Sequence, residues 1–300
     1  KQAAGNNTMA ATWRYQNQSE RVKVVGGFRS RPLGSVASNY VLTAGDWQGG
    51  KKIIVNVNQT VGGRKDGVRS DVALRTGNWP SGTELQIDVG PSGFLTGSGG
   101  DGGAGGSYDG GNGGTGTSAL GVEYPATINN NGVIRCGYGG GGGGAGAAND
   151  PSDKSTTDFG RSGAGGGGGA GLPAGIGGAA GTNGFNGPEP INGGPGNNGT
   201  LTVGGAGGTA GSHGGATGGD GGDGGDLNDL PQLGSPGIRE DDRAYRDTPG
   251  TRGGHGEDGR AIYFSTTTVR DTSTVTGNSI SGRRGGSIVS GAEGPSQVIN

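Results

Sequence analysis

The side chains that could do chemistry are few and widely spaced: 25 acidic residues, 23 lysines and arginines, two histidines and one cysteine in 300 positions. Asp, Ser and His can be combined on paper into a triad or a carboxylate pair, but no spacing selects a set, and such sites are defined by geometry. No catalytic residue and no enzymatic activity is expected. Gly-x-Gly-x-x-Gly recurs, as 80 glycines would make it, without a βαβ pattern around it, and there is no Gly-Lys-Ser/Thr for a phosphate loop. Cys136 by itself forms no intrachain disulfide, and one thiol with two histidines makes no zinc site. It reads as a small packing residue, and no cofactor or metal is expected.

One acidic run has a period. In Gly218-Gly219-Asp220-Gly221-Gly222-Asp223-Gly224-Gly225-Asp226 the carboxylates fall every third residue. Its end partly resembles the calcium-binding nonapeptide of RTX proteins, but Asn228 stands at the apolar position and tandem copies are missing. A solvated acidic edge is the simpler reading. The side chains suited to recognition lie elsewhere, in three tract-free segments, 145–162, 182–191 and 227–249. These hold Phe159, Phe185, Arg239, Arg243, Tyr245 and Arg246. Aromatic residues and arginine are the types enriched at binding hot spots, and loops on a rigid scaffold are where binding usually resides. These six are the candidate binding residues; the plainer alternative is that the segments are solvated connections.

What must position them is the glycine. Gly-Gly-X, as in Gly99 to Ser107, has a three-residue period, which belongs to the polyproline II helix and to neither an α-helix nor a strand. Two edges of such a helix carry only hydrogen, so rods can pack backbone to backbone. A rod has no internal hydrogen bonds, so each buried N–H and C=O needs a partner on a neighbour. The expected fold is β-rich plus a sandwich of polyglycine II helices, with essentially no α-helix. Gly139–Gly144 and Gly165–Gly169, bare on every side, should be interior; tracts with one decorated edge should be outer. Collagen is excluded, since it needs one glycine per triplet and abundant proline. Disorder is the ordinary reading of so much glycine with only 27% apolar residues, but the period argues against it. Glycine-rich antifreeze proteins are also similar, yet the edges here are acidic or irregular.

Along the chain, residues 1–96 read as a β-rich carrier, with strands expected at Lys51–Val61, Asp71–Arg75 and Thr83–Val89. Residues 97–260 form the glycine block, and 261–300 a β-rich cap with a strand-like Thr/Ser/Val run to Val275. Turn and short strand feed the tracts at Gly90–Thr96, Asn129–Arg135 and Asn197–Val203, which implies a β layer with an apolar seam. The start at Lys1, with Met9 as the only methionine, suggests a processed or excised C-terminal piece. The three parts carry 12 basic and 6 acidic, 8 and 17, and 3 and 2 side chains respectively. An acidic block disfavours nucleic acid. Apolar runs such as Ile53-Ile54-Val55 are too short to span a bilayer, so no membrane insertion is expected.

Pro125 to Ile134 followed by a glycine run resembles receptor-binding regions of tailed bacteriophages. Two groups share it: tip adhesins on the long tail fibres of T-even-like phages, and the C-terminal parts of tail-tip host-specificity proteins. Gly259–Phe264 and Gly277–Gly282 are similar to the ends of the latter. The resemblance covers about residues 70–285. It implies a virion tail protein whose loops bind a cell-surface receptor, an outer-membrane protein or glycan of a Gram-negative bacterium, without catalysis. Other tail proteins are implied partners, and a homotrimer through 1–96 follows from the tail-tip resemblance. The competing class is a glycine-rich structural or appendage protein with no specific receptor.

Overall fold

The computed structural model describes the backbone of residues 11–17, 20–26, 31–33 and 36–41. It also describes residues 52–63, 71–77, 79, 81–146, 162–181, 192–213, 216–237, 250–277 and 280–281. β1 (Ala11–Asn17) and β2 (Glu20–Gly26) pair antiparallel, as do β3 (Arg31–Leu33) and β4 (Val36–Val41). From β4 the chain winds through three sheets in a fixed order. One turn is β4, β5 (Lys52–Val57) and β6 (Thr60–Val61); the next is β7 (Val72–Arg75), β8 (Glu84–Val89) and β9 (Phe94–Thr96). The third is β10 (Ser118–Val122), β11 (Ala126–Asn130) and β12 (Val133–Arg135). The chain then enters the glycine block, where β13 (Ser212–His213) and β14 (Ala216–Thr217) pair. It returns as β15 (Ile262–Phe264), α1 (Thr267–Asp271), β16 (Thr274–Gly277) and β17 (Ile280–Ser281).

Within each sheet, strands of successive turns are parallel neighbours: β4, β7, β10, β15; β5, β8, β11, β16; and β6, β9, β12, β17. This is a three-sided parallel solenoid, and its register stacks like on like. Leu74 is followed by Leu120 and Ile262; Val55 is followed by Ile87, Ile128 and Val275; Val61 is followed by Leu95, Ile134 and Ile280. Apart from the half-buried Val275, these ladders form one buried apolar cluster. Each fully buried aliphatic side chain contributes about 2 kcal/mol, so the small apolar content is concentrated where it acts. Outside, a polar ladder runs the same way: Asn129 Nδ2 donates to Asp88 Oδ1 at 2.7 Å and Thr276 Oγ1 to Asn129 Oδ1 at 2.8 Å. Arg75 and Glu123 pair between successive turns.

Several expectations change. The 51–61 strand is two strands with a corner between them. The Thr/Ser/Val run is interrupted by α1, whose N-cap Thr266 accepts the Val269 N–H. Residues 118–135 return to the sheets, so the glycine block is two excursions, 97–117 and 136–261. Within the final segment, β15, β16 and β17 supply the fourth solenoid turn. Leu201–Val203 is a turn and not a strand, because no described strand pairs with it while Thr200 N–H closes onto the Val203 carbonyl at 2.8 Å.

The excursions hold ten glycine-rich tracts among the described residues, and they bond to one another with a period of three. Gly100, Gly103 and Gly106 donate to the carbonyls of Tyr138, Gly141 and Gly144. Gly99, Gly102 and Gly105 donate to Pro173, Ile176 and Ala179. The bonding order gives rows of three, four and three tracts: 110–117, 99–106, 173–181; then 250–259, 137–146, 163–170, 193–200; then 232–237, 218–226, 204–211. Tracts 137–146 and 163–170 are each bonded on six sides and are buried throughout. Their central stretches, Gly139–Gly144 and Gly165–Gly169, are the two that are bare in sequence. A Cβ on Gly141 or Gly166 would meet the carbonyl oxygen of Gly222 or Gly141 inside contact distance. Close approach of backbones is therefore the reason for glycine here.

Candidate functional site: the far end of the glycine block

At one end the tracts join the solenoid, since β9 and β12 run straight into them and β10 and β15 leave them. At the other end the connections 147–161, 182–191, 214–215 and 238–249 all leave and return. Phe159, Phe185, Arg239, Arg243, Tyr245 and Arg246 lie in these connections, outside the described residues. Their roots are described, and hydrogen bonds tie those roots together. Ser162 Oγ, fully buried, donates to the Gly181 carbonyl at 2.7 Å and accepts the Gly193 N–H at 3.0 Å. One hydroxyl thus joins both roots of one connection to a root of another. Gly146 N–H donates to the Tyr108 carbonyl and Gly218 N–H to Gly211 O.

The turn Ser107-Tyr108-Asp109 lies among these roots. Asp109 Oδ1 accepts both the N–H and the Oγ1–H of Thr251, each at 2.7 Å. Thr251 is two residues beyond the end of connection 238–249, so the turn and that root are clamped together. The Thr251 hydroxyl, followed by its N–H, holds the Asp109 carboxyl below the ordinary carboxylate value. Tyr108 itself is 47% exposed. It was not among the residues expected from sequence, although an aromatic residue in a break between two glycine tracts was the available signal.

The acidic run has a different role from the one its sequence suggests. Asp220 Oδ1 accepts the Ala210 N–H at 2.7 Å, Asp223 Oδ1 the Gly207 N–H at 2.7 Å and Asp226 Oδ2 the Gly204 N–H at 3.3 Å. Each carboxylate occupies the place of a carbonyl that a further tract would have supplied. The same substitution recurs on other edges: Asp101 takes the Ile176 N–H, Asn112 the Gly254 N–H, Asn198 the Gly177 N–H, and buried Asp258 the Gly139 N–H. Spaced along one rod at about 3.1 Å per residue, the three carboxylates of the run do not converge on a point. Among the described residues no group of three metal-ligating side chains comes together.

At the solenoid end, Leu172, Val203, Leu227 and Leu230 project from three turns and are exposed. Arg135, stacked over the Phe94 ring, donates from Nη2 to the Leu201 carbonyl at 2.6 Å and holds one of these turns against the solenoid.

Among curated proteins none matches the chain. Of solved structures, it is similar to the gp37–gp38 adhesin tip complex of the bacteriophage S16 long tail fibre, with 22% identity and a TM-score of 0.35. That likeness covers 76% of this chain and 71% of the other. The family described as phage tail fibre adhesin Gp38 matches residues 30–289. Of the two groups the sequence resembles, this selects the fibre adhesins over the tail-tip proteins from which the trimer expectation came. With nearly its whole length matched, the chain belongs to the phage tail fibre adhesin Gp38 family, and its place is in the virion tail, acting at host attachment.

Proposed function

We propose that this chain is a non-catalytic receptor-binding tip, and that connections 147–161, 182–191 and 238–249, with Tyr108, form its contact surface. The observation that carries this reading is that every described root of those connections lies at one end, tied by Ser162, Asp109 and Gly146. The opposite end is taken up by the solenoid. The receptor class is an outer-membrane protein or surface glycan of a Gram-negative bacterium. The ten tracts are polyglycine II helices. Their three-residue bonding period, lateral bonds and six-sided interior tracts are the features such helices require. A scaffold of this kind presents loops at little ordering cost, which favours affinity. The partner at the solenoid end is another tail-fibre protein, a reading supported by the match to a tail fibre adhesin family.

Purified chain is tested for blocking phage adsorption to host cells, then retested with each connection replaced by a Gly-Ser linker of equal length. Loss of blocking by at least one replacement, with an unchanged melting curve, is the expected result. Full blocking by every replacement overturns the loop assignment, and turnover of host glycan by the wild-type chain overturns the non-catalytic reading.

A further inference from the structure

Tracts 173–181, 250–259 and 204–211 each stand at the end of a row, on the perimeter of the block. Among their described residues, seven N–H groups are taken by Asp or Asn side chains where an interior donor would meet a carbonyl. Asp101 and Asn198 accept from Ile176 and Gly177, and Asp109 and Asn112 from Thr251 and Gly254. Asp226, Asp223 and Asp220 accept from Gly204, Gly207 and Ala210. In the interior, by contrast, Gly141 N–H goes to Gly167 O and Gly167 N–H to Gly222 O. Satisfying these donors does not by itself call for a side chain, because a backbone N–H at the surface is also served by water. What water does not do is keep another backbone away.

Tracts of nearly bare backbone carry a hazard that open strand edges share: an unsealed row of donors is a template for another chain. Tracts here bond to one another through groups that differ little between positions, so a tract of a second copy would serve as a neighbour as well as one of the same chain. Tract 204–211 shows the risk most plainly. The carbonyls of Gly204, Gly207 and Ala210 are bonded to no group among the described residues. Without the three carboxylates, each of these residues would have both its N–H and its C=O unused, at three-residue spacing. Such a face is self-complementary, as pairing of two copies about a two-fold axis requires. Charge is not what the seal needs, since Asn112 and Asn198 do the same work with a neutral amide. The acceptor oxygen is the common element.

We propose that these Asp and Asn side chains keep copies of the chain apart: by occupying the perimeter donors, they deny a second copy the bonds through which its tracts would join the block. The test is the solution mass of the full-length chain carrying Asp220→Ala/Asp223→Ala/Asp226→Ala, measured by light scattering beside wild type and the matching Asn triple variant. The Ala variant is expected to reach at least twice the wild-type mass, with the amides of Gly204, Gly207 and Ala210 protected from hydrogen exchange in the associated form. The Asn variant is expected to keep the wild-type mass. A wild-type mass for the Ala variant overturns the proposal, and so does association that leaves those three amides unprotected. Association of both variants also overturns it, because charge and not the acceptor would then be the guard. Should the triple variant fail to fold, Asp223→Ala alone decides. Its sedimentation coefficient is expected to rise with concentration where that of wild type stays constant, and a constant value for the variant overturns the proposal.

Discussion

Asp223 Oδ1 accepts the Gly207 N–H at 2.7 Å, and one triplet to either side Asp220 and Asp226 do the same for Ala210 and Gly204. A row of backbone donors at the edge of the block is thus sealed by side chains of the adjoining tract. Asp223→Asn keeps an acceptor and is expected to leave stability within about 0.5 kcal/mol of wild type. Asp223→Ala removes it and should cost about 1 kcal/mol. Urea unfolding of both variants distinguishes an acceptor role from a charge role, since equal losses would mean that charge is what matters.

Interior and edge glycines should respond oppositely to one methyl group. Gly141→Ala and Gly166→Ala would push Cβ into carbonyl oxygens of bonded neighbours, whereas a Cβ on Gly194 meets nothing closer than 3.5 Å. A loss of more than about 3 kcal/mol, or failure to fold, is expected for either interior change, and near-wild-type melting for Gly194→Ala. Similar melting of all three would mean that the packing is looser than the bonding pattern demands.

The clamp between Asp109 and Thr251 gives the far end an acid limit. The carboxyl is held below its ordinary value, so the clamp's contribution is complete above the ordinary carboxylate range, near pH 4. It is lost as pH falls through the lowered folded value. The Thr251 amide resonance should therefore titrate at lower pH than a free aspartate, and Asp109→Asn should abolish that titration.

Tyr108→Ala should weaken adsorption blocking at least tenfold while leaving the melting curve unchanged, because the side chain is exposed and its turn is held through backbone and Asp109. Tyr108→Phe separates ring from hydroxyl. Unaltered blocking by Tyr108→Ala would remove this residue from the contact surface.

Ser162→Ala breaks both bonds of a hydroxyl that joins loop roots. It leaves a buried N–H without its acceptor, at about 1–3 kcal/mol. The loss should appear as faster exchange at Gly193, measured by hydrogen exchange, and unchanged protection there would show that another group had taken its place.

The sequence alone determined that glycine tracts with a three-residue period would lie side by side, and that Gly139–Gly144 and Gly165–Gly169 would be interior. Those features follow from what each residue can or cannot place around its own backbone, and so they are local. Only the tertiary structure decided that 118–135 winds back into the solenoid, that 262–281 completes it, and that Asp220, Asp223 and Asp226 seal an edge. The physical reason is that the bonds between tracts are made by backbone N–H and C=O groups, which are nearly identical at every position. The amino-acid sequence therefore records that such bonds must form, but not which tract is bonded to which.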